Sequence, residues 1–94
     1  MAAAHSTLQE YRTSVGTDEV LARAKSFFSE RNPLYAAFLE KEGPGYATFR
    51  GQGGEEIVLA AAQKDGATLV TGSTYLFDMQ LARFFATLPP AAGT

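Results

Sequence analysis

The chain has 94 residues, a net charge of -2 and no cysteine. This is the length of one small domain, and an apolar content of 46% with seven Phe and four Tyr predicts a folded core. The lack of cysteine excludes disulfides and thiolate chemistry, and eight scattered Lys and Arg without a basic stripe argue against nucleic-acid binding.

The ends of the sequence show no targeting or membrane pattern. Residues 1–6 lack the basic and apolar regions of a signal peptide, and no apolar run approaches the ~20 residues of a membrane span. We therefore expect a soluble, cytoplasmic protein with a single domain over residues 7–88. Residues 1–6 and 89–94 are expected to be tails.

The first two predicted elements are a strand and an amphipathic helix. Residues 7–15 are dense in β-forming side chains, and Gly16 ends the strand. Thr17 stands at the N-cap position of the helix, which Asn32-Pro33 should end near Arg31. Helical spacing predicts a buried stripe of Val20, Leu21, Ala24, Phe27 and Phe28.

Residues 33–42 allow two interpretations. Asn32 as a cap, Pro33 at the first helical position and Gly43 beyond the end favour a second short helix. Its apolar face would be formed by Leu34, Ala37, Phe38 and Lys41. A strand over the same residues is the alternative.

Three strands and a closing helix are predicted next. The strands are expected over residues 46–50, 56–63 and 68–75. Residues 64–67 link the last two, and the Asp65-Gly66 pair within this link is typical of a β-hairpin. The closing helix over residues 78–88 has an apolar stripe of Leu81, Phe84, Phe85 and Leu88.

This order predicts an α+β fold. We expect an antiparallel sheet of about four strands, in the order β-α-(α)-β-β-β-α, with the helices packed on one face.

The Gly-rich stretch RGQGGEE, residues 50–56, is the most suggestive motif. A phosphate loop needs a helix N-terminus and usually a Lys, whereas here strands are predicted on both sides. Glu55 and Glu56 would also repel an anion. We interpret the stretch as a hairpin loop whose glycines adopt positive φ.

No residue pattern predicts catalysis, a metal site or a cofactor. His5 is the only histidine and has no partner in spacing. The acidic pairs at residues 18–19, 40 and 42, and 55–56 fall at the ends or edges of elements, and the spaced acids of a calcium loop are absent. An enzyme is the weakest hypothesis, although Tyr, Asp, Glu and Arg side chains could converge in space.

The order of elements over residues 7–88 resembles the helix-grip, START-like superfamily in a reduced form. The resemblance begins with the strand and helix of YRTSVGTDEVLARAKSFF. It continues through an antiparallel meander with glycines in its turns and ends with the closing helix FDMQLARFFATLP. Members of that family bind apolar ligands between sheet and helix, or act as cyclases and partner-binding modules. This chain has fewer strands and a shorter final helix, and no catalytic residue transfers. One half of the TATA-binding protein has a similar order, but its DNA-binding use does not fit the acidic charge.

The functional hypothesis is based on the predicted strand over residues 56–63. Residues 57–62 are apolar on both faces, which predicts burial from both sides, whereas one layer of helices covers one face. We therefore expect a non-catalytic protein-interaction domain, either an accessory subunit of a larger assembly or a homo-oligomer. The alternative is a carrier of an apolar small molecule, with a pocket of at least ~300 Å³ between the final helix and the sheet. Candidate partner or pocket residues are Phe27, Phe28, Val58, Ala60, Ala62, Phe84, Phe85 and Leu88.

Overall fold

A computed structural model describes residues 6–29, 37–51 and 53–91, in which two helices pack on a five-stranded sheet. The strands are β1 (Ser6–Thr13), β2 (Phe38–Gly43), β3 (Tyr46–Arg50), β4 (Glu56–Lys64) and β5 (Ala67–Tyr75). The helices are α1 (Thr17–Ser29) and α2 (Asp78–Ala86). Neighbouring strands are antiparallel, in the order β1-β5-β4-β3-β2. The α+β prediction is confirmed, with five strands rather than about four.

β1 and α1 form close to the predicted positions. The strand ends at Thr13, whose hydroxyl accepts a hydrogen bond from the Val15 amide at 3.2 Å. The first turn of α1 closes where the Val20 amide donates to the Gly16 carbonyl at 2.9 Å. Four residues of the predicted stripe are buried, and Phe27 lies at the margin of the core.

The prediction of a second helix is wrong for residues 38–42, which form most of β2, and the strand alternative is correct there. Phe38 pairs with Arg50 of β3, and a bulge interrupts the ladder midway. Asn32, Pro33 and Gly43 favour a helix locally, but local propensity is a weak preference. Backbone hydrogen bonds to β3 override it and make these residues a strand. Residues 33–36 of the predicted helix lie outside the described residues.

The hairpin between β4 and β5 is the one that the sequence predicts. Lys64 pairs with Ala67, and the two residues between them, Asp65 and Gly66, have φ of 53° and 80°. Positive φ at both central positions is the geometry of a type I′ turn, whose twist matches that of the strands.

The core lies between the sheet and the helices. α1 packs on β2, β3 and β4, and α2 packs on β1 and β5. Phe28 of α1 joins the two helices to the sheet, because its ring centroid lies 5.3 Å from those of both Phe49 and Phe84. A Cβ added to Gly72 of β5 would lie 2.7 Å from both methyl carbons of Leu81, so this glycine allows α2 to sit directly on the strand.

The chain after α2 returns to the edge of the sheet. α2 begins at Asp78 as predicted and ends at Ala86. Pro89, which is expected from the sequence to lie in a tail, accepts a hydrogen bond from the Thr13 hydroxyl at 2.6 Å, and the Ala91 amide donates to the Arg12 carbonyl at 3.1 Å. No helix among the described residues is long and apolar enough to cross a membrane.

Candidate functional site

The central strand β4 has one covered face and one open face. The residues that point toward the helices are buried: Ile57, Leu59 and Ala61. On the other face Val58 is 37% exposed, Ala60 is half-buried and Ala62 is exposed. The described helices therefore cover one face of a strand that is apolar on both.

The open face has a floor of small side chains surrounded by larger ones. β3, β4 and β5 supply the floor: Thr48, Val58, Ala60, Ala62, Thr71 and Ser73. Strand pairing places four exposed large side chains on the same face: Leu8, Phe38, Tyr46 and Tyr75. Such a shallow surface suits a second layer of structure, since stacked sheets lie ~10 Å apart.

Charged side chains lie at the ends and edges of the open face. At one end the Arg50 guanidinium lies 3.0 Å from the Glu40 carboxylate and 3.6 Å from that of Glu56. The hydrogen bond to Glu40 raises the pKa of Arg50 above its usual value. Lys64 occupies the far end of β4. An apolar centre within a polar margin is the arrangement found in protein–protein interfaces.

The predicted site residues fall into two separate groups. Val58, Ala60 and Ala62 lie together on the open face. The others lie on the helix side of the sheet, where Phe27 is half-buried and four are at most 6% exposed: Phe28, Phe84, Phe85 and Leu88. No single surface therefore contains both groups.

The space between α2 and the sheet is occupied by side chains. The Tyr11 ring stacks on Phe85 with centroids 5.8 Å apart, and the Tyr11 hydroxyl donates to the Leu88 carbonyl at 2.9 Å. A hollow of about 400 Å³ lies instead at the edge of β1. The described residues that line it are Glu10, Tyr11, Arg12, Leu69 and Pro90.

The Gly-rich stretch joins β3 to β4, as the hairpin-loop prediction requires. The Glu55 carboxylate accepts a hydrogen bond from the Gly53 amide at 2.9 Å, and the Glu55 carbonyl accepts one from the Gly51 amide at 2.8 Å. The prediction of positive φ is confirmed for Gly54, whose φ is 94°, and is wrong for Gly51 and Gly53. The Glu55 carboxylate thus occupies the Gly53 amide, which would otherwise be available to bind an anion.

Several carboxylates form ion pairs on the surface. Glu19 lies 3.1 Å from Arg23, one turn along α1, and Glu42 lies 2.9 Å from Lys25. Within residues 6–29, 37–51 and 53–91, no three His, Asp or Glu side chains are grouped so that they could hold a metal ion. His5 lies outside those residues.

Some surface features were missed by sequence reasoning. Phe38, expected on the core side of a helix, is 54% exposed on the open face because β2 is a strand. Tyr46 and Tyr75 alternate with buried residues, so their two-residue period could have placed them on the outer face. Leu76 has a φ of 75° and is 57% exposed, and nothing in the local sequence indicates this.

Searches with protein-family models and against curated proteins found no match to this sequence. The helix-grip resemblance therefore stays a prediction from the order of elements.

Proposed function

We propose that this chain is a non-catalytic protein-interaction domain that docks through the open face of its sheet. It acts as an accessory subunit of a larger assembly or as a homo-oligomer. The observation that supports the proposal is the outward row of β4, where the chain leaves Val58, Ala60 and Ala62 without a covering layer among the described residues.

The central position of this row in the sheet strengthens the proposal. β4 is the middle strand of the sheet, so its outward side chains lie as far as possible from either edge. Antiparallel sheets that face water on one side normally alternate apolar and polar residues. Here no polar side chain interrupts the row between Glu56 and Lys64. Burying these side chains against another protein removes apolar surface from water and favours association.

The carrier hypothesis has less support. It requires a pocket between the final helix and the sheet, and Phe84, Phe85 and Leu88 are buried in that region. The hollow at the edge of β1 lies outside it. We therefore favour the interaction domain. The cytoplasmic location expected from the sequence stays part of the proposal.

A single bulky charge on the open face tests the proposal. Ala60→Arg should abolish association, because a guanidinium at the centre of the interface would be buried without a partner. Ala22→Arg is the matched control, since Ala22 is exposed on α1. Molar mass from light scattering reports self-association, and quantitative pull-downs from the native host report other partners.

Two results are decisive. The proposal is supported if Ala22→Arg retains the dimer mass or the captured protein and Ala60→Arg loses it. Association that is unchanged by Ala60→Arg would contradict it, provided that circular dichroism shows both variants to be folded.

A further inference from the structure

We propose that the partner on the open face is a second copy of this chain, so that two open faces stack about a twofold axis crossing β4 beside Ala60. This inference rests on the proposed function and names its partner. Three properties of the open face support it: its charges, the sizes of its side chains and its area.

The outward row of β4 is self-complementary in charge. It begins with Glu56, continues through small apolar side chains centred on Ala60, and ends with Lys64. A twofold axis across the strand at Ala60 reverses the row, and so sets Glu56 of each copy opposite Lys64 of the other. The two ion pairs are equal by symmetry, as the interface of a twofold dimer requires.

Glu56 and Lys64 cannot pair within one chain. They are eight residues apart on one extended strand, a separation of about 26 Å. Glu56 shares the Arg50 guanidinium with Glu40, so one positive charge serves two carboxylates. Within the described residues Lys64 forms no ion pair. Each group is therefore available to the other across the axis.

The neighbouring strand β5 is complementary in size about the same axis. Thr71 pairs with Ala60 and so lies on the axis row. Reversal about that row sets Tyr75 opposite Ala67 of the second copy, and Leu69 opposite Ser73. At these two contacts of β5 a large side chain faces a small one, which lets the two layers interdigitate there at the ~10 Å spacing of stacked sheets.

Tyr46 of β3 pairs with Ala60, so it lies on the axis row and faces Tyr46 of the second copy. Glu10 of β1 pairs with Thr71 and likewise faces Glu10 of the second copy. This contact lies at the edge strand, where Glu10 is exposed to solvent. Because Glu10 is exposed, water and solvent ions screen the repulsion between the two carboxylates. Arg12 follows on the same face of β1 and offsets it further.

The area of the face fits a sheet better than a helix. Five strands about 4.8 Å apart, with a rise of about 3.3 Å per residue, present roughly 600 Å². Stable interfaces bury about 600–1,000 Å² per partner, so nearly the whole face must be covered. A helix about 10 Å wide covers less than half of it. A second copy brings a sheet of matching size.

Charge reversal tests the pairing directly. Glu56→Lys and Lys64→Glu, each alone, set like charges opposite each other at both symmetric contacts and should raise the dimer dissociation constant by about tenfold. The double variant restores opposite charges and should recover most of the loss. Glu56→Lys removes the contact with Arg50 in both the single and the double variant, so recovery reports the cross-chain pair alone.

The measurement is sedimentation velocity over a range of protein concentrations. The expected result is a dimer of twice the 10.1 kDa chain, weakened by each single reversal and recovered by the double. A wild-type monomer overturns the inference. A double variant whose dissociation constant is as high as those of the single variants also overturns it. So does a dimer whose dissociation constant is unchanged by every reversal, such as one formed through the β1 edge. If the wild type is monomeric while a captured partner is lost with Ala60→Arg, the proposed function stands without this inference.

Discussion

The two faces of the sheet are formed by the same strands but differ in how deeply their side chains are buried. Toward the helices, β4 presents Ile57 and Leu59, which are fully buried. Toward the open side it presents Val58 and Ala60, which are smaller and only partly covered. The apolar content of a strand therefore does not by itself determine how much of the strand is buried by its own chain.

Large apolar side chains from the helices and the sheet meet on the covered face. Burial of large apolar groups stabilises a fold in proportion to the area removed from water. On the helix side Phe28 of α1 packs against Phe49 of β3 and Phe84 of α2, and all three side chains are at most 4% exposed. The open face has small side chains along its centre with the larger Leu8, Phe38, Tyr46 and Tyr75 around them, and the described helices do not cover it.

The largest expected effect comes from truncating the covered face of β4. Leu59→Ala should lower the free energy of unfolding by about 2–5 kcal/mol, because Leu59 is 0% exposed and its loss leaves a cavity. Val58→Ala, one residue away, should cost less than about 1 kcal/mol, since Val58 is 37% exposed. Urea denaturation at low protein concentration measures both.

Equal losses of unfolding free energy for Leu59→Ala and Val58→Ala would contradict this difference between the two faces of β4. They would show that the open face is already covered within the monomer, and the case for an external partner would fail with it.

A smaller effect is expected from adding volume to the two faces of β5. Gly72→Val should destabilise by about 1–3 kcal/mol, because its side chain would meet the methyl groups of Leu81. Ser73→Val places a valine at the neighbouring position on the open face, with a smaller added volume, and should change stability by less than about 0.5 kcal/mol. Thermal unfolding of the two variants at low concentration gives the difference, and a Gly72→Val variant as stable as the wild type would contradict the close packing of α2 on β5.

The smallest effect is expected at the charged end of the open face. Glu40→Gln removes a carboxylate that contacts Arg50, but both side chains are more than a third exposed, at 35% and 39%. Water and salt screen such pairs, so the unfolding midpoint should stay within measurement error at low and high salt. A large decrease at low salt only would show that this ion pair holds the end of the sheet together.

Much of the fold could be predicted because its signals are local. The Asp65-Gly66 turn fixes the β4–β5 register, and the spacing of Leu81, Phe84 and Phe85 fixes the buried side of α2. β2 could not be distinguished from a helix, because its strand state depends on pairing with β3 and its flanking residues suit a helix cap.

The candidate site could be predicted only in part. The two-sided apolar character of residues 57–62 is visible in the sequence and points to the open face. The sequence also grouped Phe84 and Phe85 with that face, and only the packing of α2 separates them from it. The pairing of Glu56 with Lys64 needs the strand register, since both must share one face of a continuous β4.

Zero-length cross-linking tests the stacked dimer most directly. A carbodiimide joins a carboxylate to an amine in direct contact, and a mixture of ¹⁵N-labelled and unlabelled chains identifies links between copies by mass spectrometry. Lys64→Arg is the control, because it keeps the charge and removes the reactive amine. The structure predicts a mixed-isotope peptide joining Glu56 to Lys64, absent in the control. A covalent dimer joined at other residues, or no covalent dimer, would contradict the stacking of the two open faces.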